Sequence, residues 1–239
     1  MKPAESQSTF VTALITEHAP EEVLQLGLGD VNLTLSVCQA LERLENSALT
    51  LITPTIAQHA SFLKELKKQE ATSLGNLVEL IRTPADEVLP DFYFQNRSVD
   101  LAIINDTAPF DQALVALYYV DKMLVSRGTV VINNATHPVM RKICRYLLTE
   151  RDYTLQKSLD AATRQPLLAR FLRSQFNRAP DFIKGTVKNV IHPDLLMTDD
   201  DLGLQCSVVA LTKPTVEGEI DMDFDTLLAS IMDENSSNP

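Results

Sequence analysis

The chain alternates short apolar segments with longer amphipathic ones. The apolar segments have the length of buried strands, and in the runs that follow them apolar residues recur every three or four positions, as in helices. The apolar segments lie at 23–26, 49–52, 77–81, 99–104 and 129–132. Parallel strands need a crossover between them, and buried parallel strands are apolar throughout. The alternation therefore predicts a doubly wound α/β sheet with helices on both faces.

The amphipathic runs predict the helices and the end of the sheet. Helices are expected at 8–18, 33–46, 56–70, about 86–92, 110–126 and about 138–150. In the third of these, Ile56, Ala60, Leu63 and Leu66 share one face, which we expect to be buried. Gly128 suits the C-cap of helix 110–126. A sixth strand at 153–159 and a last one at 204–211 complete a predicted sheet of seven strands.

One domain is predicted over 1–216, with an insertion at 160–203 before the last strand and an acidic tail at 217–239. The insertion is locally basic, and we interpret it as a packed satellite with solvated charges, with a pocket cap or a dimer contact as alternatives. Its cations are Arg164, Arg170, Arg173, Arg178, Lys184 and Lys188. The apolar pattern of the tail predicts a helix that docks on the body or on another subunit. Its apolar stripe is Phe224, Leu227, Leu228, Ile231 and Met232.

Composition excludes several classes of function. The formal net charge is −11, but the tail holds seven acidic side chains and no Lys or Arg, so the body is only mildly acidic. Binding to nucleic acid needs a concentrated basic surface and is not expected. Cys38, Cys144 and Cys206 lie far apart, which fits neither a zinc site nor a disulfide framework. With no basic leader and no apolar run of about 20 residues, we expect a cytoplasmic protein without membrane contact.

A glycine-containing turn joins the first predicted strand to the next helix. Gly27 and Gly29 are two of only seven glycines in the chain. Glycine tolerates positive φ and lacks the Cβ that would keep a ligand away from the backbone. In open α/β sheets, ligands bind at the carboxyl ends of the strands, so this turn predicts a nucleotide pocket.

Three later segments strengthen this interpretation by their order. They are Leu-Ile-Arg-Thr-Pro-Ala-Asp-Glu-Val-Leu-Pro at 80–90, Val-Asp-Leu-Ala-Ile-Ile-Asn-Asp at 99–106 and Leu-Val-Ser-Arg-Gly-Thr-Val-Val-Ile-Asn-Asn at 124–134. Together with the Leu-Gly-Leu-Gly turn, they resemble the class I S-adenosylmethionine (SAM)-dependent methyltransferases, especially the O-methyltransferase-like branch. The resemblance covers about 23–159 and implies SAM as the cofactor. It also implies an antiparallel strand near one sheet edge, which suits 204–211.

The resemblance assigns a cofactor site that departs from the family pattern. The implied cofactor-binding residues are Gln25, Gly27, Gly29, Asp30, Thr53, Asp86 and Asn105. Val31 stands where the family has a third glycine, and Gln25 stands where it has an acid. Thr53 and Pro54 replace the acid that holds the ribose. Pro84 occupies the position that often faces adenine, with Asp86 displaced in register. Asp30 is also suited to cap the helix that follows.

Amides replace carboxylates where metal-dependent relatives bind a divalent cation. Asn105, Asn133 and Asn134 occupy those positions, and hard cations prefer charged oxygen ligands, so no metal is expected. Candidate residues on the substrate side are Asp106, Asn133, Asn134 and His137. A simpler interpretation, which we favour, is that Asn134 or Thr136 caps the following helix and His137 is merely exposed.

These observations lead to two hypotheses of different classes. The first is a SAM-dependent methyltransferase that acts on a small-molecule acceptor without a catalytic metal. The alternative is a catalytically inactive protein with the methyltransferase fold and a role in assembly or regulation, which the lost motifs favour. A nicotinamide-dependent oxidoreductase would need a glycine at position 32 and an acid near position 53, where this chain has Asn32 and Thr53. A homodimer is a candidate assembly in either case.

Overall fold

A computed structural model of the chain describes residues 6–44, 46–68, 73–105, 108–159, 199, 202–204 and 206–215. Within these residues, strands and helices alternate as the sequence predicts. The helices are α1 Gln7–His18, α2 Val31–Leu41, α3 Ile56–Lys68, α4 Ala85–Phe94, α5 Phe110–Met123 and α6 Pro138–Glu150. The strands are β1 Glu22–Leu26, β2 Ala48–Ile52, β3 Val78–Ile81, β4 Val99–Ile104, β5 Leu124–Asn133, β6 Thr154–Leu159 and β7 Val208–Thr212. A 3₁₀ turn at Ser73–Leu77 precedes β3.

The described strands form one seven-stranded sheet in the order β3-β2-β1-β4-β5-β7-β6. Strands β1 to β5 are mutually parallel, whereas β7 runs antiparallel to both of its neighbours, β5 and β6. The predicted doubly wound, mostly parallel sheet with one antiparallel strand near the edge is confirmed. The order reverses between β1 and β4, and this reversal places the ligand-binding edge of such folds beside those two strands.

Among the described elements, three helices cover each face of the sheet. Alternate side chains of β4 show the division: Leu101 and Ile103 join the core under α1, α2 and α3, whereas Ala102 and Ile104 join the core under α4, α5 and α6. A strand that is buried on both faces must be apolar at every position. This requirement explains the unbroken apolar segments from which the sheet was predicted.

The predicted buried face of α3 is confirmed only at Leu66. Phe62 and Leu66 are the buried residues of this helix, while Ile56, Ala60 and Leu63 are exposed. Successive helical residues are rotated by about 100°, so a helix that turns Phe62 towards the sheet points Ile56 and Ala60 well away from it. Burying the aromatic ring removes more apolar surface from water than burying the smaller side chains, and this sets the rotation of the helix.

The predicted helix cap at Gly128 is wrong. Helix α5 ends at Met123, and Gly128 lies inside β5. The pairing of β5 with β4 jumps from Val99–Leu124 to Leu101–Thr129, so residues 125–128 bulge out of the ladder. A Cβ on Gly128 would lie 2.8 Å from Leu124 Cγ. Close packing inside the bulge, and not the end of a helix, therefore requires glycine here.

The division into domains stays a prediction. Most of the 160–203 insertion and all of the 217–239 tail lie outside the described residues. In the part of the chain that is described, no helix has the length and apolarity needed to cross a membrane.

Candidate functional site

The candidate site begins where β1 and β4 end side by side. The backbone N–H of Gly27 donates to the carbonyl of Ile52 over 2.8 Å, and that of Asn105 donates to the carbonyl of Leu26 over 2.8 Å. The residues after both strands are therefore held by the sheet itself. From this point the chain winds away in opposite directions, which leaves a crevice at the carboxyl edge.

The glycine turn takes a backbone shape that suits glycine at two positions. Gly27 has φ +78° and Gly29 has φ +58°, both in the left-handed region. Gln25 supports the turn from the buried side: its Nε2 donates to Gly27 O over 3.1 Å and to Thr34 Oγ1 over 2.7 Å. The Thr34 hydroxyl in turn donates to Leu28 O over 2.9 Å. Gln25 is fully buried, so it acts on a ligand at this edge through the shape of the turn.

Asn105 packs directly on the turn. Its Nδ2 donates to Gly27 O over 3.1 Å, and a Cβ added to Gly29 would lie 3.0 Å from its Cγ. Asn133, at the end of β5, donates its own amide to Asn105 Oδ1. The two predicted asparagines and the glycine turn are thus brought together as one hydrogen-bonded group that spans β1, β4 and β5.

Two acceptors in this group have no partner among the described residues. Gln25 Oε1 and Asn133 Oδ1 are both buried and form no hydrogen bond. A buried oxygen without a donor costs free energy. The group therefore keeps hydrogen-bonding capacity that the described part of the protein does not use.

An apolar cavity of about 80 Å³ opens beside the turn. Its walls come from the ends of β1, β2 and β4 and from helices α4, α5 and α6. Most of its lining side chains are aliphatic, including Ile52, Pro54, Pro84 and Ile104, and Gly27 contributes at one end. Among the described residues of the lining, Asp86 is the one that carries a charge, and a carboxylate favours a neutral or cationic ligand.

Three predicted cofactor residues take different places around this cavity. Asp86 is half-buried and lines it. Thr53 is fully buried and donates its hydroxyl to Gln58 Oε1 over 3.0 Å, so its side chain is engaged outside the lining. Asp30 accepts from the backbone N–H of Asn32 over 3.0 Å and is the N-cap of α2. The predicted cap is confirmed.

The substrate-side candidates are spread along the loop after β5. Asn133 is buried, whereas Asn134 and His137 are exposed. Asn134 has φ +56°, and His137 occupies the N-cap position of α6 without a hydrogen bond from its side chain. The predicted cap by Asn134 or Thr136 is wrong, because the helix begins at Pro138 and the N-cap position therefore falls on His137. Asp106 lies outside the described residues.

The described residues offer neither a cluster that could bind a cation nor a reactive thiol. It contains no group of three or more His, Cys, Asp and Glu side chains that could hold a metal ion. Burial raises the pKa of Cys38 and Cys144 to about 12 and that of Cys206 to about 11. These buried thiols stay protonated at neutral pH and are poor nucleophiles.

Sequence reasoning missed the residues that reach the site from helices. Thr34 bridges Gln25 to the turn, and Gln112 and Met140 line the cavity from α5 and α6. The one available signal was Thr34, a polar residue on the apolar face of its helix. Nothing local to Gln112 or Met140 indicates that α5 and α6 converge on the end of β1.

The methyltransferase resemblance is supported by a family model. Residues 24–135, which include the glycine turn, β4 and all of β5, match the model described as "Methyltransferase domain". This match agrees with the class I methyltransferase resemblance that the sequence predicts. No curated protein sequence matches the chain.

Solved structures share the fold of this chain. TomG, an O-methyltransferase of Streptomyces achromogenes involved in tomaymycin synthesis, is 17% identical with a TM-score of 0.53, over 63% of this chain and 71% of TomG. A candidate O-methyltransferase from Klebsiella pneumoniae is 16% identical with a TM-score of 0.53, over 65% of this chain and 73% of that protein. The chain spans about half of PaMTH1 from Podospora anserina, with 52% of it covered at 17% identity and a TM-score of 0.46.

Proposed function

We propose that the protein is a SAM-dependent methyltransferase that acts on a small-molecule acceptor without a catalytic metal. One observation carries the proposal. The apolar cavity opens against Gly27 at the point where the sheet order reverses, within the segment that matches the methyltransferase model. The TomG structure is a complex with SAM, which supports the same cofactor here.

The lining fits an adenosine group in its chemistry. Ile52, Pro54 and Pro84 offer flat apolar surfaces to the faces of a base. Asp86 is the charged acceptor in the lining, and we assign to it a hydrogen bond from the exocyclic amino group of adenine. The cavity holds about 80 Å³, less than the roughly 300 Å³ of small ligand sites, so its walls must separate on binding.

The glycine turn is suited to the remainder of the cofactor. Gly29 is exposed at the sheet edge, and α2 begins two residues later, after the Asp30 cap. Bound SAM supplies an electrophilic methyl group on a sulfonium. The protein's own contribution is to orient the reactants and to exclude water, because no nucleophilic side chain or base is aligned in the described lining.

Calorimetric titration with SAM tests the assignment of Asp86. Replacing Asp86 by Ala removes a charge-assisted hydrogen bond of about 1.5–3 kcal/mol, which corresponds to roughly 10- to 100-fold weaker binding. Asp91→Ala is the matched control, because Asp91 lies on the same helix, is exposed and is absent from the lining. Equal affinities of the two variants would show that the adenine site is misplaced. Failure of the unmodified protein to bind SAM or S-adenosylhomocysteine at millimolar concentration would overturn the proposal.

A further inference from the structure

An apolar groove lies on the outer surface between α5 and α6. Phe110, Leu114 and Tyr118 are four residues apart along α5, and Tyr146 faces them from α6. The exposed fractions of these four side chains are 43%, 37%, 56% and 41%. The groove encloses about 340 Å³. Contiguous exposed aromatic and aliphatic side chains of this kind mark a surface that binds another segment of protein.

The rim of the groove is cationic. Lys142 lies 5.6 Å from the centroid of the Phe110 ring and Lys122 lies 5.9 Å from that of Tyr118, and no ion pair is seen for either lysine within the described residues. Arg151 and Asp121 pair with each other at the far end of the groove. The surface therefore suits an apolar segment that carries negative charge.

The C-terminal tail of the same chain has this chemistry. Phe224, Leu227, Leu228 and Ile231 have the spacing i, i+3, i+4, i+7 of one helical stripe. Residues 217–239 also carry seven acidic side chains and no Lys or Arg. The 160–203 insertion is a poorer match, because its six Lys and Arg side chains are balanced by six Asp and it lacks the net negative charge of the tail.

The chain leaves its last described strand, β7, beside one end of this groove. Lys213 Nζ donates to Asp121 O over 2.6 Å and to Leu124 O over 2.8 Å, so the chain leaves β7 beside the end of α5. Asp121 itself lines the groove. From Phe110 to Asp121 the groove follows α5 for roughly 16 Å, and a helical 224–232 segment would span roughly 12 Å. Residues 214–223 can extend to roughly 33 Å and connect the two easily.

We propose that residues 217–239 dock as a helix in the α5–α6 groove of their own chain, with the 224–232 stripe against Phe110, Leu114 and Tyr118. This assignment goes beyond the methyltransferase function. Leu117 and Ile143 line both the groove and the apolar cavity, so a docked tail rests on the outer side of a wall whose inner side faces the proposed cofactor.

A single-tryptophan reporter tests the docking in the full chain. The protein contains no Trp, so Phe224→Trp introduces the only one. We expect its emission to be blue-shifted relative to the same chain unfolded in urea, because the indole leaves water on docking. Adding Leu114→Asp, which places a carboxylate in the groove against an acidic tail, should remove most of the blue shift. Circular dichroism confirms that each variant remains folded.

Leu63→Asp is the matched control. Leu63 is 40% exposed, close to the 37% of Leu114, but lies on α3 on the opposite face of the sheet. It should leave the emission unchanged. Emission from the introduced indole that matches the unfolded chain, or a blue shift that survives Leu114→Asp, would overturn the proposal. A blue shift that disappears on dilution together with a halving of the mass in light scattering would instead assign the tail to a second copy, which also overturns docking within one chain.

Discussion

Gly29→Ala tests whether the glycine turn and the side chain of Asn105 are in tight contact. Gly29 has φ +58°, and an L-residue in this region costs about 1–2 kcal/mol. The new methyl group would lie 3.0 Å from Asn105 Cγ and 3.1 Å from its Cβ, so Asn105 must move. That movement breaks its hydrogen bond to Gly27 O, which costs about a further 0.5–1.5 kcal/mol. The expected loss is about 1.5–3.5 kcal/mol in the free energy of unfolding.

Urea unfolding followed by circular dichroism measures this loss, which corresponds to a fall of roughly 3–14 °C in Tm. Gly75→Ala is the control, because Gly75 has no heavy atom within 4 Å of its added Cβ and no positive φ. It should be neutral or slightly stabilising. A Gly29→Ala protein as stable as the Gly75→Ala protein would refute the reasoning.

A double-mutant cycle separates the backbone cost from the contact. Asn105→Ala removes Cγ and Nδ2, two of the three atoms that the new methyl group would meet first. The combined variant should therefore lose less than the sum of the two single losses. Strict additivity would mean that the strain lies in the backbone alone and that Asn105 does not press on the turn.

Two further predictions follow from burial. The thiols of Cys38, Cys144 and Cys206 have pKa values raised to about 12, 12 and 11, so at pH 8 each should react with Ellman's reagent more than roughly 100-fold slower than a free thiol until the chain unfolds. Rapid reaction of one thiol in the folded protein would contradict this. Burial, with the neighbouring Asp121, also raises the pKa of Tyr153 above its ordinary value. The phenol of Tyr153 therefore loses its proton at a lower pH in the unfolded chain than in the folded one. Its contribution to the free energy of unfolding falls as the pH rises above about 10. Tyr153→Phe should flatten the change in urea midpoint between about pH 9 and pH 11, and an unaltered slope would count against the assignment.

The fold could be predicted because its signals are local and repeated. Each buried strand needs an unbroken apolar segment, and each crossover helix needs an amphipathic one, so the order of elements is visible in the sequence. The rotation of α3 could not be predicted, because it depends on how the Phe62 ring fits the sheet. The bulge at 125–128 was also hidden, since Gly128 suits a helix end and a crowded strand equally well.

The candidate site was only partly predictable. The glycine turn, Asn105 and Asn133 follow strand ends, so parallel topology alone brings them to one edge. The directions of side chains do not follow from topology: Thr53 turns inward to Gln58, and Gln25 supports the turn from behind. Asp86 reaches the cavity because α4 begins at Ala85, shortly after β3 ends, which places the acid in the first turn beside the lining.

The central claim is that the glycine turn and the adjoining cavity bind SAM. Calorimetric titration of the unmodified chain with S-adenosylhomocysteine, the product of methyl transfer, tests it most directly. The account predicts one site per chain, with affinity reduced at least roughly 10-fold by Asp86→Ala. The absence of heat and of thermal stabilisation at millimolar ligand would contradict it and leave an inactive protein with the methyltransferase fold.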